Sequence, residues 1–151
     1  MVVYLAFPMT GRSVGETREY VEETANELRE MGFEVLSPLI GTECLTDEEI
    51  LKTNYEDPVL SDKAIVRRDL WLLKKADIVL VDFGKAEKVS VGCVVETAWA
   101  YLLGKHVVSV LPKNSVHDHP FLREASDVIF GTLDEALEYL YFLIKNEGGM
   151  K

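Results

Sequence analysis

Cysteine is scarce in this chain. Cys44 and Cys93 stand far apart and belong to no CxxC pair. That excludes a disulfide framework and a cysteine-based zinc site, and two reduced thiols are the expected state. Basic residues are also few, 16 Lys and Arg against 26 Asp and Glu, for a net charge of -10. A nucleic-acid surface needs a cationic footprint, so that partner is excluded. A small phosphorylated ligand held by a few local donors is not. No apolar run approaches the ~20 residues that span a bilayer, and no membrane association is expected. Neither a basic n-region nor a small-residue cleavage site precedes Val2, so the expected location is cytoplasmic. His106, His117 and His119 lack zinc-type spacing with cysteine; His117-Asp118-His119 could hold a metal, but a solvated loop is the favoured reading, because a site needs three or four convergent ligands. No metal and no cofactor are expected.

What is present is an ordinary globular composition over 151 residues, 48% hydrophobic and 28% charged. That length suits one domain, residues 1–151, burying roughly 70% of the surface of its unfolded chain. Val2 to Phe7 is a short apolar run, as in a strand buried on both faces. A helix is predicted from about residue 14, with Val21, Ala25 and Leu28 at helical spacing and Gly32 as its stop. Phe33 to Leu36 reads as a second strand, and Thr46-Asp47-Glu48-Glu49 has the form of a capping box opening a short helix. Ser61 should open a longer helix to about Lys75, followed by a third strand over Ile78 to Phe83. A helix from about Gly92 to Leu103, a strand over Val107 to Leu111, a short strand over Val128 to Phe130 and a helix capped by Thr132 complete the pattern.

Helices separate most successive strands, which means crossover connections and a parallel sheet. The expectation is an α/β protein: a three-layer flavodoxin-like domain with a five-stranded parallel sheet in the order 2-1-3-4-5. In that topology the ligand crevice lies at the carboxyl ends of strands 1 and 3, where the winding reverses. Two loops are thereby singled out. Phe7 to Ser13 follows strand 1, where Gly11 permits a tight turn and Thr10, Arg12 and Ser13 offer donors beside a helix N-terminus. An ordinary turn and cap would use the same residues. The loop lacks the spacing of a Walker or dinucleotide fingerprint, so neither ATP nor NAD is expected.

Gly84 to Glu96 follows strand 3, with Ser90, Gly92 and Glu96 at the start of its helix. The positive end of the helix dipole should keep Glu96 ionised at neutral pH. A surface glutamate would profit from the dipole too, but Thr97, Ala98 and Trp99 make this helix look buried. Asp69, in Arg67-Arg68-Asp69-Leu70, is open to the same two readings: an arginine-paired surface residue or a member of a pocket. Asp77 and Asp82 flank strand 3. Two carboxylates converging on one pocket, one ionised and one holding a proton, suit glycosyl transfer.

On these residues the chain resembles the nucleoside 2-deoxyribosyltransferase family, including its branch of 2'-deoxynucleoside 5'-phosphate N-hydrolases. Val3-Tyr4-Leu5-Ala6 with Gly11-Arg12 is similar to the family's first strand and substrate loop. Arg68-Asp69-Leu70 with Leu72 and Ala76-Asp77-Ile78-Val79 is similar to its helix-to-strand signature. Ser90-Val91-Gly92 through Glu96, then Ala100-Tyr101 and Leu103-Gly104-Lys105, resembles its nucleophile helix. The likeness spans roughly residues 3 to 143. It implies Glu96 as nucleophile, Asp69 as second catalytic carboxylate, and Tyr4 as the tyrosine beside the nucleophile.

Ser90 departs from the transferases, which usually carry an aspartate there to contact the deoxyribose. The phosphate-preferring hydrolases have a serine, able to donate to a phosphate. Phe7, Thr10, Gly11, Arg12, Ser13 and Gly92 would complete the substrate site, although Phe7 to Arg12 matches neither branch closely. The resemblance also implies a homo-oligomer, a dimer or higher, with a shared active site. The segment from about Asn114 to His119 would then approach the neighbour's substrate through His117 or His119. The implied function is N-glycosidic cleavage of (deoxy)nucleosides or nucleoside 5'-monophosphates, with a hydrolase slightly favoured over a transferase. A non-catalytic nucleotide or nucleoside sensor on the same fold is the alternative. A flavin or receiver domain does not fit, because Phe7-Pro8-Met9 occupies the position of their phosphate loop or acidic cluster.

Overall fold

A computed structural model describes residues 1–52 and 55–147. Its elements in chain order are β1 (Val2–Ala6), α1 (Val14–Met31), β2 (Glu34–Leu36), α2 (Asp62–Lys75), β3 (Ile78–Asp82), α3 (Val91–Leu102), β4 (His106–Val110), α4 (Pro120–Glu124), β5 (Val128–Phe130) and α5 (Leu133–Glu147). A 3₁₀ turn over Pro58–Leu60 precedes α2. The strands form one parallel sheet in the order β2-β1-β3-β4-β5, as expected.

Local chemistry explains where the helices begin and end. Ser13 caps α1 in a capping box, its Oγ accepting the Glu16 N–H while the Glu16 carboxylate accepts the Ser13 N–H. Gly32 ends the helix at φ 104°, a left-handed conformation that glycine adopts without strain. Ser61 and Ser90 cap α2 and α3 in the same side-chain-to-backbone manner. The expected capping residue of α5 also acts, with Thr132 Oγ1 accepting the Glu135 N–H at 3.3 Å.

Strand alternation then decides which layer each side chain joins. Val3, Leu5, Ile78 and Leu80 pack on one face of the sheet against α1 and α5, with Leu28 and Leu140. Tyr4, Ala6, Val79 and Val81 point to the other face and pack with Leu72, Leu73, Cys93 and Ala100 of α2 and α3. Tyr4 therefore stands on the same side of the sheet as the helices that carry Asp69 and Glu96. A shift of one residue in β1 would put it in the wrong layer.

The segment between β2 and α2 differs from expectation. Thr46 to Glu49 forms a turn and no helix: Thr46 N–H donates to the Glu49 carboxylate, and Glu49 N–H to the Thr46 carbonyl. The backbone groups that a helix would use are taken by the start of α1 instead. Val14 N–H donates to Glu49 O, Gly15 N–H to Asp47 O and Gly11 N–H to Leu51 O, while Leu51 N–H donates to Arg12 O. Ser13 and Ile50 form an antiparallel bridge, and Leu45, Leu51 and Leu60 close over Val14 in a small apolar cluster. Long-range pairing overrides a local capping signal here.

Candidate active site

Tyr4 leaves β1 toward α3 and is fully buried. Its hydroxyl donates to Glu96 Oε1 at 2.6 Å. Glu96 is itself 8% exposed, on the second turn of α3. The helix dipole acts mainly on the first turn, so it does little for this carboxyl. Burial dominates and pushes the Glu96 carboxyl up to about 8, against the pull of the Tyr4 hydrogen bond and with a further push from Asp69. The expectation that the dipole keeps Glu96 ionised is thus corrected: burial outweighs the dipole and favours the protonated carboxyl at neutral pH. Burial, followed by the charges of Glu96 and Asp69, raises the Tyr4 phenol well above its ordinary value, so Tyr4 remains a donor.

Asp69 comes from α2 and is buried, not a surface partner of arginine. Burial raises its carboxyl to about 6, opposed by the Arg68 guanidinium, whose Nε lies 3.7 Å from Asp69 Oδ1. Neither of those two atoms has a hydrogen-bond partner among the described residues. Arg68 is held in place by donating to the Val59 carbonyl at 3.3 Å. It lies against Gly41, whose φ of 93° favours glycine and where an added Cβ would push the guanidinium aside. The outcome is two buried carboxyls with different acidities and one proton between them near neutral pH.

Above this pair opens a crevice of about 1180 Å³ at the carboxyl ends of β1 and β3, as the topology requires. Phe7, Thr10, Gly11 and Arg12 line it from the first loop, and Ser90 and Gly92 from the second. The two loops are joined where Arg12 Nη2 donates to the Lys85 carbonyl at 3.1 Å. Gly11 turns the first loop at φ 89°. Ser13 does not line the crevice; its hydroxyl is taken by the α1 cap.

The histidines also stand apart from the crevice lining. His117 is 2% exposed and accepts the Ser90 N–H on Nε2, so a reach into a neighbouring subunit does not fit it. His119 is exposed and caps α4 through Nδ1.

Two parts of the crevice had no clear sequence signal. Leu45, Leu51, Tyr55 and Leu60 form its far wall from the irregular segment before α2. Isolated apolar residues without periodicity were the only hint. Tyr20 of α1 lines it too, donating to Asp82 Oδ2 at 2.5 Å, while Asp82 Oδ1 accepts the Gly84 N–H at 2.6 Å. Asp82 therefore fastens α1 to the start of the second loop. Cys93, under the same site, is a buried thiol that burial pushes up to about 12, which leaves it unreactive.

The nucleoside 2-deoxyribosyltransferase family matches this sequence over residues 3–139, nearly its whole length. The chain belongs to that family. A 2-deoxyribosyltransferase from the psychrotolerant bacterium Bacillus psychrosaccharolyticus has a similar structure, with a TM-score of 0.70 at 20% identity. That match covers 95% of this chain and 96% of the other. A CMP N-glycosidase of Clostridium botulinum is similar at a TM-score of 0.60 and 21% identity, covering 95% of this chain and 99% of the other. A conserved protein of Enterococcus faecalis V583 gives 0.63 at 15% identity, over 93% and 96% of the two chains. These likenesses extend to the fold. No curated protein matches the sequence significantly. Family membership supports an enzyme that acts on the N-glycosidic bond of small nucleosides or nucleotides. Among the described residues no helix is long and apolar enough to cross a membrane.

Proposed function

We propose that this nucleoside 2-deoxyribosyltransferase family member cleaves the N-glycosidic bond of (deoxy)nucleosides or their 5'-monophosphates with retention, through a glycosyl ester on Glu96. The buried Tyr4–Glu96–Asp69 constellation at the floor of the crevice carries this reading. A Glu96 carboxylate oxygen attacks the anomeric carbon while the C–N bond breaks and its electron pair leaves with the base. The proton that makes the base a tolerable leaving group comes from Asp69, directly or by relay. Water or a second base then attacks the anomeric carbon, its proton passing back to the Asp69 carboxylate as the ester C–O bond breaks. The electron pair returns to Glu96, so both carboxyls regain their starting states. The proton balance needs Glu96 ionised and Asp69 protonated, the less populated arrangement of the shared proton. A developing positive charge on the sugar draws the anion toward Glu96.

Donors at the rim of the crevice support a 5'-monophosphate as the preferred substrate. The serine at position 90, as in the family's phosphate-preferring hydrolases, favours water slightly over a second base as acceptor. Ser90 Oγ accepts the Cys93 N–H at 3.4 Å, which leaves the hydroxyl proton free for an acceptor in the crevice. Arg12 adds a cation on the opposite loop. An aspartate at position 90 would repel a phosphate. The test is a panel of deoxynucleosides, ribonucleosides and their 5'-monophosphates, with and without a free acceptor base, followed by chromatography of released base. Phosphate-dependent release supports the hydrolase; exchange without net release identifies a transferase. Binding without any turnover would favour a sensor and overturn the proposal.

The Tyr4→Phe variant tests the constellation itself. Without the hydroxyl, Glu96 loses the bond that favours its anion, so its carboxyl rises further. Turnover should fall roughly tenfold or more, with optimal activity displaced to higher pH. An unchanged pH profile would remove Tyr4 from the mechanism.

We also propose a homodimer. Val66, Trp71, Val91, Tyr101 and Leu102 are exposed apolar residues on α2 and α3, and Leu102 is 78% exposed. Exposed apolar side chains gathered on two neighbouring helices suit an interface, and these helices carry the two carboxylates. His119, the exposed histidine of its loop, would then be able to meet a second copy. Sedimentation should give a dimer at micromolar concentration, and Leu102→Glu should shift it to monomer. A monomeric wild type would overturn this part.

A further inference from the structure

His117 is a core histidine with an unusual attachment. Its ring lies 4.4 Å from that of Phe83, at the end of β3, and is all but inaccessible. Nε2 accepts the Ser90 N–H at 2.7 Å. An accepting Nε2 places the proton of the neutral ring on Nδ1, and burial holds the ring below its ordinary pKa, in the neutral form. Nδ1 is buried with no partner among the described residues. A leucine or phenylalanine would fill the same space without burying an unpaired N–H, which is costly. Packing alone therefore does not account for histidine here.

The bond to Ser90 does. Ser90 is the N-cap of α3, and its own N–H lies outside the helix. Its carbonyl accepts the Val94 N–H and its Oγ accepts the Cys93 N–H. His117 fixes the remaining group, so every backbone polar atom of Ser90 has a partner. The loop that presents His117 is itself braced: His117 N–H donates to Ser115 Oγ, Asp118 N–H to the Ser115 carbonyl, and Asp118 pairs with Arg123 of α4. Asn114 turns that loop at a φ of 66°.

We propose that His117 is a positioning residue for Ser90, fixing the hydroxyl that meets the 5' end of the substrate. This rests on the functional reading above, in which Ser90 faces that end. His117 touches no substrate. It acts by holding the cap backbone, and with it the direction of the free Ser90 hydroxyl proton. Without the ring acceptor, the cap relaxes and the donor is no longer aimed.

Two measurements decide this, and the first needs no activity. Long-range proton–nitrogen spectra of the histidine side chains should show His117 with its proton on Nδ1 and Nε2 as an acceptor. A proton on Nε2 overturns the proposal whatever the enzyme does. The second is a double-mutant cycle on the full chain in the Glu96→Gln background, reading the dissociation constant of a nucleoside 5'-monophosphate by calorimetry. His117→Leu should weaken binding roughly five- to tenfold, and His117→Gln, which keeps an acceptor near Nε2, by about twofold or less. In a Ser90→Ala background His117→Leu should weaken binding no further, because the aimed hydroxyl is already gone. The same loss in both backgrounds would mark a merely structural histidine and overturn the role. If His117→Leu does not fold, His117→Phe keeps the apolar bulk and takes its place in the cycle. Absence of all nucleotide binding overturns the functional reading and this role with it, while the spectrum still reports whether the bond to Ser90 exists.

Discussion

Glu96→Ala should lower turnover of the best substrate by roughly a thousandfold or more while leaving the fold intact. The expected loss is large because no other carboxyl can take over: Asp69 comes from a different helix and sits beside Arg68. Glu96→Gln should be equally inactive, and it adds a stability readout. The Glu96 carboxyl stands at about 8 in the folded protein against an ordinary 4.5. Between those values the folded state keeps a proton that the unfolded state has lost. Stability contributed by this residue is therefore full below the unfolded value and declines as pH rises through about 8. Glutamine, neutral throughout and still able to accept from Tyr4, removes that decline. Urea unfolding should find wild type and Glu96→Gln similar near pH 5, with the variant more stable by a few kcal/mol near pH 9. Wild-type turnover in either variant would sink the mechanism, and parallel stability curves would mean that the Glu96 carboxyl is well solvated in the folded protein.

Asp69→Asn should be the next most damaging change, at roughly a hundredfold or more, and should alter the shape of the pH profile. In the wild type the buried pair holds one proton between about 6 and about 8, set by burial of each carboxyl. The active form is that singly protonated pair, so kcat/KM should be bell-shaped, with its limbs assigned to the pair as a whole. The variant has no second proton to lose. Its residual activity should follow a single rise with pH, as Glu96 ionises, and no alkaline fall. That rise should lie below the value in the wild type, because the negative charge of Asp69 no longer opposes ionisation of Glu96. Rates measured from about pH 5 to pH 10 on both proteins decide it. An alkaline limb that persists in Asp69→Asn would exclude Asp69 as the acid.

Much of the fold was legible because its signals are local and repeated. The apolar runs of β1, β3 and β4, the helical spacing of Val21, Ala25 and Leu28, and the caps at Ser13, Ser61 and Ser90 all act within a few residues. Thr46 to Glu49 misled because its capping signal is equally local, while the backbone bonds from Val14 and Gly15 that decide its shape come from more than 30 residues away in the chain. Ser13 and His117 show the same limit at the site. Each has the chemistry of a ligand donor, and each is committed to protein structure, one to the cap of α1 and the other to the cap of α3.

The small share of cysteine, of positive charge and of long apolar runs described the surface and the class of protein. By itself the sequence could name Glu96, Asp69 and Tyr4 as candidates, since residue type and position along an element are local properties. Only the tertiary structure decided that Tyr4 meets Glu96, that Asp69 keeps its arginine in a dry setting, and that Glu96 gives up the ionisation expected from its place near a helix start. The reason is that acidity in a protein depends on how much water surrounds a group, and burial is produced by all the layers packing together.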